Sequence, residues 1–142
     1  MKFTFTVEGK PRGKGRPRFA MGRKKPYTPE STRQYEEWIR TCYLMQKGPH
    51  FPAGTYIGLV ICACFPIPKN KSRAVKAQMI SGALRPAIRP DGDNIEKAVA
   101  DALIGMAYDD DKQLISVMWE KRYTSDLRSK GGLTVTVFTK EV

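Results

Sequence analysis

Three observations predict an α+β domain, a mixed β-sheet with helices packed on it. The 142 residues are 41% hydrophobic, enough to bury roughly two thirds of the unfolded surface in one core. Strand-like apolar patterns occur near both ends and once in the middle, whereas the segments between them repeat apolar residues at helical spacing. Pro and Gly are scattered through loops, without a linker, a low-complexity tract or a fixed-period repeat, so residues 1–142 read as a single domain.

The elements follow in order. Phe3, Phe5 and Val7 alternate with Lys2, Thr4 and Thr6, the period of a half-buried strand, which stops at Gly9. From Gly9 to Arg18 there is too much Gly and Pro for a regular element, so the bases of that stretch project from a loop. Phe19 and Tyr27 are expected to pack beneath it, with stacking on a nucleobase as the alternative use. Thr28-Pro29 supplies an N-cap and a first-turn proline, and Tyr35, Trp38, Ile39 and Cys42 then recur at helical spacing, in a helix closing near Gly48-Pro49.

Tyr56 to Phe65 is apolar, rich in β-branched and aromatic residues and bounded by Gly54 and Pro66, as in a buried strand. A short second helix is expected from Ser72 to about Ile80. Pro86 and Pro90 hold the approach to Asp91 extended. A third helix is expected from about Asn94, with Ile95, Ala98, Val99, Ala102 and Leu103 on one stripe and Asp93, Lys97 and Asp101 on the opposite face. Leu114 to Tyr123 and Leu133 to Phe138 read as two strands joined by a polar turn, a closing hairpin.

Composition narrows the function. The N-terminus lacks the apolar run of a signal peptide and no stretch approaches the ~20 apolar residues of a membrane span, so a cytoplasmic location is expected. Cys42, Cys62 and Cys64 sit in apolar surroundings and read as reduced core thiols; with His50 the lone histidine, the usual structural zinc sets are not available. A net charge of +11 and a pI near 9.8 point to a polyanionic partner, most commonly nucleic acid. No segment pairs a basic face with an apolar face long enough for a membrane surface, and no phosphate-binding Gly-x-x-x-x-Gly-Lys-Ser/Thr loop is present for a nucleotide cofactor.

Against this basic background, Asp91 to Asp111 holds seven acidic residues and one base, Lys97. Two carboxylates 4 Å apart repel by about 1 kcal/mol in water and about 4 kcal/mol where partly shielded, so such a cluster calls for a bound cation or for local capping roles. In Asp91-Gly92-Asp93 the glycine permits a tight bend, which lets both side chains converge on one ion before a helix; Lys97 follows one turn later and Asp110-Asp111 stands at the start of the next strand. Hard oxygen donors without His or Cys select Mg²⁺ or Mn²⁺. That chemistry suits phosphodiester hydrolysis, with Lys97 as a fixed charge at the phosphate or leaving oxygen. The spacing does not suit an EF-hand, whose sixth and twelfth positions counted from Asp91 are Glu96 and Ala102.

The stretch from Arg89 to Leu103, Arg-Pro-Asp-Gly-Asp-Asn-Ile-Glu-Lys-Ala-Val-Ala-Asp-Ala-Leu, followed by Asp110-Asp111-Lys112-Gln113-Leu114, resembles the signature of RusA-type Holliday junction resolvases, small bacterial and phage endonucleases. The resemblance implies a RusA-like fold and a Mg²⁺-dependent homodimer that binds four-way DNA junctions in recombination and repair and nicks two opposing strands symmetrically. By position, Asp91, Asp93 and Asp111 match the metal-binding carboxylates, with Asp110 as the neighbouring alternative to Asp111; Lys97 matches the active-site lysine, and Asp101 a position of structural role. The loop from Gly9 to Pro29 is longer than in some members. Junction contacts are therefore expected from charge: Lys10, Arg12, Lys14, Arg16 and Arg18 in that loop, and Lys69, Lys71, Arg73, Lys76, Arg85 and Arg89 before the acidic cluster. Two other readings remain, a non-catalytic basic DNA-binding module and a flap or branched-DNA nuclease using the same residues.

Overall fold

The computed structural model describes residues 1–15 and 30–141. Strands β1 (Lys2–Glu8), β2 (Ile57–Phe65), β3 (Leu114–Tyr123) and β4 (Gly132–Thr139) form one mixed sheet in the order β1-β4-β2-β3, and helices α1 (Glu30–Met45), α2 (Arg73–Ser81) and α3 (Gly92–Leu103) connect them. The expected mixed sheet with packed helices is therefore present. The expected closing hairpin is not, because β2 lies between β3 and β4, antiparallel to β4 and parallel to β3. β2 is the most apolar strand and gains most from the centre of the sheet, where both of its edges are paired. Residues 124–131 are long enough to carry the chain past its end, since extended backbone covers about 3.3 Å per residue and strands stand about 4.8 Å apart. The parallel β2–β3 pair in turn requires a long crossover, which residues 66–113 supply with α2 and α3.

Alternation sorts the strands onto two faces. Phe5 and Val7, Leu133, Val135 and Val137, and the odd-numbered residues of β2 meet the inner sides of α1 and α3 in a single core. Thr4, Thr136, Val60 and Met118 line up across the other face, where Thr4 and Thr136 share a hydroxyl hydrogen bond of 2.8 Å. Cys62 and Cys64 belong to that second face and are half-buried, so of the three free thiols only Cys42 is a core residue.

The third helix confirms the apolar stripe: Ile95, Ala98, Val99, Ala102 and Leu103 are all buried. It starts at Gly92, two residues before the expected Asn94, because Asp91 holds the extended N-cap conformation. The α1 stripe needs one correction. Tyr43 takes the inner position, whereas Trp38 is 39% exposed and donates its indole N–H to Glu8 O at 2.8 Å. The helix also closes sooner than the glycine suggests. Lys47 adopts a φ of 62°, and Gly48 N and Lys47 N donate to Tyr43 O and Leu44 O, a Schellman end that leaves Met45 as the last helical residue. Gly48 is required for a different reason, since a Cβ there would fall 2.3 Å from the Tyr43 ring. At the outer edge of β1, Gln46 pairs with the main chain of Thr6 in both directions, at 2.9 and 2.7 Å, and so covers an otherwise open strand edge. The expected Thr28-Pro29 helix start, Phe19 and Tyr27 lie outside the described residues.

Candidate active site

Asp91, Asp93 and Lys97 all derive from the start of α3. Asp91 occupies the N-cap, where an aspartate side chain ordinarily accepts a main-chain N–H and contributes about 1 kcal/mol. Here the side chain makes no capping bond, and the main-chain oxygen of Asp91 accepts from Asn94 N and Ile95 N, each at 3.1 Å. The carboxylate is thus left exposed at the positive end of a helix, in the same open hollow as Asp93. Lys97 is exposed one turn further along, and neither Asp93 nor Asp101 forms an ion pair with it.

The segment that delivers Asp91 is braced from the sheet. Lys121 donates its ammonium to Ile88 O and, at 3.0 Å, to Pro90 O, and lies 5.3 Å from the centre of the Phe65 ring. Arg85 donates to Lys121 O at 3.3 Å. On the opposite side the N-terminal loop closes in: Lys14 N donates to Asn94 O at 3.0 Å, and a Cβ on Gly13 would fall within 3 Å of both Pro90 and Asn94.

The six aspartates of the cluster separate by what they touch. Asp109 Oδ1 faces His50 Nε2 at 2.9 Å, while His50 Nδ1 faces Met106 O at 3.0 Å. Asp110 caps the short 3₁₀ turn Asp111–Gln113 by accepting Lys112 N at 2.9 Å, and Gln113 returns the bond by accepting the N–H groups of Asp109 and Asp110. Gln113 also donates to Thr55 O at 3.0 Å, which ties the turn to the loop before β2. Asp101 binds the Lys14 ammonium. By contrast, Asp91 and Asp93 form no ion pair with any described Lys, Arg or His, and the same holds for Asp111. Asp110 and Asp111 compete for a proton. The Lys112 N–H and a hydrogen bond with Asp111 hold Asp110 below the usual carboxylate range, whereas the contact with Asp110, some desolvation and the fields of Asp110 and Asp101 push Asp111 up.

The four expected metal carboxylates are not gathered at one point. Asp91 and Asp93 share the hollow, Asp111 stands outside its lining, and Asp110 is engaged in capping. Among the described residues, no group of three His, Cys, Asp or Glu side chains is positioned to hold a single ion. Two carboxylates are nevertheless sufficient protein ligands for Mg²⁺, which keeps several waters and takes a phosphate oxygen. The exposed all-oxygen donor pair at a helix N-terminus fits such an ion.

The expected DNA-binding residues fall into three groups. Lys10, Arg12, Lys69, Lys71, Arg73, Arg85 and Arg89 are exposed, and Arg89 borders the hollow; Lys76 is half-buried. Lys14 faces inward, engaged by Asp101 and 3.4 Å from Glu36 Oε1. Arg16 and Arg18 lie outside the described residues. Sequence reasoning placed Trp119 merely within a strand. Its ring lies against Gly92 and borders the hollow beside Asp91 and Asp93, and the one sequence signal for it was a tryptophan in mid-strand, where the other aromatic, Tyr123, stands at the strand end.

Comparison with known proteins identifies the family. The chain is similar to a protein of Bacillus subtilis (strain 168), "Uncharacterized protein YqaN", at 29% identity over 128 residues, covering 87% of this chain and 89% of that protein. The endodeoxyribonuclease RusA family matches residues 8–137, from the end of β1 into β4 and through every residue of the acidic cluster. The chain therefore belongs to the RusA family and is an endodeoxyribonuclease.

Proposed function

We propose that this endonuclease resolves four-way DNA junctions as a homodimer, by Mg²⁺-dependent phosphodiester hydrolysis that places one nick in each of two opposing strands. The observation that carries the reading is the free N-cap carboxylate. Asp91 forgoes a favourable capping bond and, with Asp93, presents carboxylates that form no ion pair with any described Lys, Arg or His. Asp91 and Asp93 would hold the ion; Asp111, outside the lining of the hollow, would join as a third carboxylate only by moving toward it, and Asp110 keeps its capping bond beside it. Mg²⁺, for which Mn²⁺ substitutes, supplies Lewis acidity toward the attacking water and the phosphate oxygens.

The chain's own residues do the rest. Lys97, on the same helix face and free of ion pairs with the described acids, places a positive charge where the leaving oxygen develops its own. Arg89 borders the hollow and holds a strand phosphate, while Lys10, Arg12, Lys69, Lys71 and Arg73 contact phosphates of the junction arms without reading bases. A junction offers two equivalent cleavage positions, and a two-fold protein brings one acidic centre to each.

The deciding experiment is cleavage of a labelled synthetic four-way junction with and without Mg²⁺, beside linear duplex, single strand and a flap. Paired nicks restricted to the junction are expected, with Asp93→Asn inactive yet binding the junction at least as tightly as wild type. Junction binding without cuts under Mg²⁺ or Mn²⁺ would leave a DNA-binding module, and equal cutting of the flap would leave a general branched-DNA nuclease.

A further inference from the structure

We infer that Trp119 is a stacking platform for a DNA base at the branch point, placed beside the acidic centre to favour branched over linear DNA; the inference rests on the nuclease reading above. Trp119 pairs in register with Ile61, whose side chain is fully buried, so both lie on the sheet face that α3 covers. A tryptophan on that face is expected to be enclosed, yet Trp119 is 44% exposed. One side of its six-membered ring rests on Gly92, where any Cβ would come within 2.1 Å of the ring. The rest borders the open hollow of about 570 Å³ formed with Ile88, Arg89, Asp91, Asp93 and Lys121. A large aromatic surface is therefore held rigidly from behind by the residue between the two site carboxylates, and is open in front.

The chemistry of the neighbours selects the ligand. Arg89 favours a phosphate, Asp91 and Asp93 favour a phosphate-bound cation, and the indole face favours a flat aromatic group next to that phosphate. A nucleotide offers all three. Within a continuous duplex both faces of every base are covered by stacking, whereas at a branch point, or on an unstacked nucleotide beside it, a face is available. The indole thus distinguishes DNA by interruption of stacking, with no base-specific hydrogen bond.

The test uses Trp38→Phe protein, in which Trp119 is the sole tryptophan, without divalent ions so that no DNA is cut. Addition of a four-way junction should quench Trp119 emission as the anisotropy of labelled DNA rises, and an equally saturating linear duplex should not. In the second arm, Trp119→Leu should weaken junction binding by about tenfold or more and leave duplex binding within about twofold, while Trp119→Phe, which keeps an aromatic face, should recover most of the loss. Unchanged emission at full junction occupancy, or a Trp119→Leu junction-to-duplex ratio equal to wild type with a wild-type circular dichroism spectrum, would overturn the stacking role while leaving the nuclease reading intact. Failure of the protein to bind the junction at all would remove both.

Discussion

Replacing Lys14 by Met should destabilise the fold by about 2 kcal/mol, although Lys14 lies in the basic loop expected to contact DNA. Its ammonium binds Asp101 on α3 and stands 3.4 Å from Glu36 Oε1 on α1, joining three segments of chain. The Glu36 side chain is only 10% exposed, and its other cation, Arg40, is 3.9 Å from Oε2. Removing one partner of a fully buried ion pair costs about 3–5 kcal/mol, and an exposed pair contributes about 0–1 kcal/mol. With Lys14 at 28% exposure and Asp101 at 34%, this site falls between those limits. Met preserves the aliphatic stem and the main-chain bond to Asn94, so the difference isolates the charge. With a urea slope of about 2 kcal/mol/M, the unfolding midpoint should fall by about 1 M. In Glu36→Gln protein the same substitution should cost less, because no buried charge is stranded. Burial alone would lower the Lys14 pKa, but Asp101 and Glu36 outweigh it and the net shift is upward from 10.5. A raised folded-state value means that the stabilisation is fully present below 10.5 and is lost as pH climbs through that raised value; the variant should lack this alkaline loss. A cost under about 0.5 kcal/mol, or strict additivity with Glu36→Gln, would refute the internal tie.

Three further outcomes are expected. The salt dependence of junction binding should separate the loop bases: Lys10→Ala and Arg12→Ala should each reduce the log–log slope by about 0.9 for every phosphate left without its cation, while Lys14→Met should leave the slope unchanged, as measured by anisotropy titrations at several salt concentrations. Gly48→Ala should cost about 3 kcal/mol in thermal or urea unfolding, because the new Cβ meets a fully buried Tyr43 ring whose hydroxyl is bonded to Pro49 O and which has nowhere to move; a change under about 1 kcal/mol would show that the ring yields. Cys62, pushed up to about 11 by burial and by the neighbouring Cys64 thiol, should alkylate slowly at pH 8, with a rate rising about tenfold per pH unit up to that value; peptide mass spectrometry showing free-thiol rates at pH 7 would contradict this.

Much of the chain's organisation is legible in its sequence because it is local. Strand and helix identities follow from periods of 2 and 3.6, which is why the α3 stripe from Ile95 to Leu103 is read correctly to the residue. Capping chemistry was less legible: an Asp before a helix looks like a cap, and only the folded structure shows that Asp110 caps whereas Asp91 does not. Trp38 and Tyr43 both fit an apolar stripe, and their roles were decided by the main-chain oxygen of Glu8 and by the aromatic packing of Phe3 and Phe5 around Tyr43.

The sequence by itself determined the α+β class, the elements, the basic surface, the acidic cluster with Lys97, and through its motif the family. Tertiary structure alone decided that β2 separates β3 from β4, that Lys14 turns inward to Asp101 and Glu36, that His50 engages Asp109, and that Trp119 borders the hollow beside Asp91 and Asp93. The physical reason is the range of the interactions. Periodicity, capping and turn chemistry act over a few residues, whereas strand order joins residues as distant as Thr4 and Thr136, 132 apart, and ion pairing joins Lys14 and Asp101, 87 apart, and both depend on which partners the packed core brings within reach.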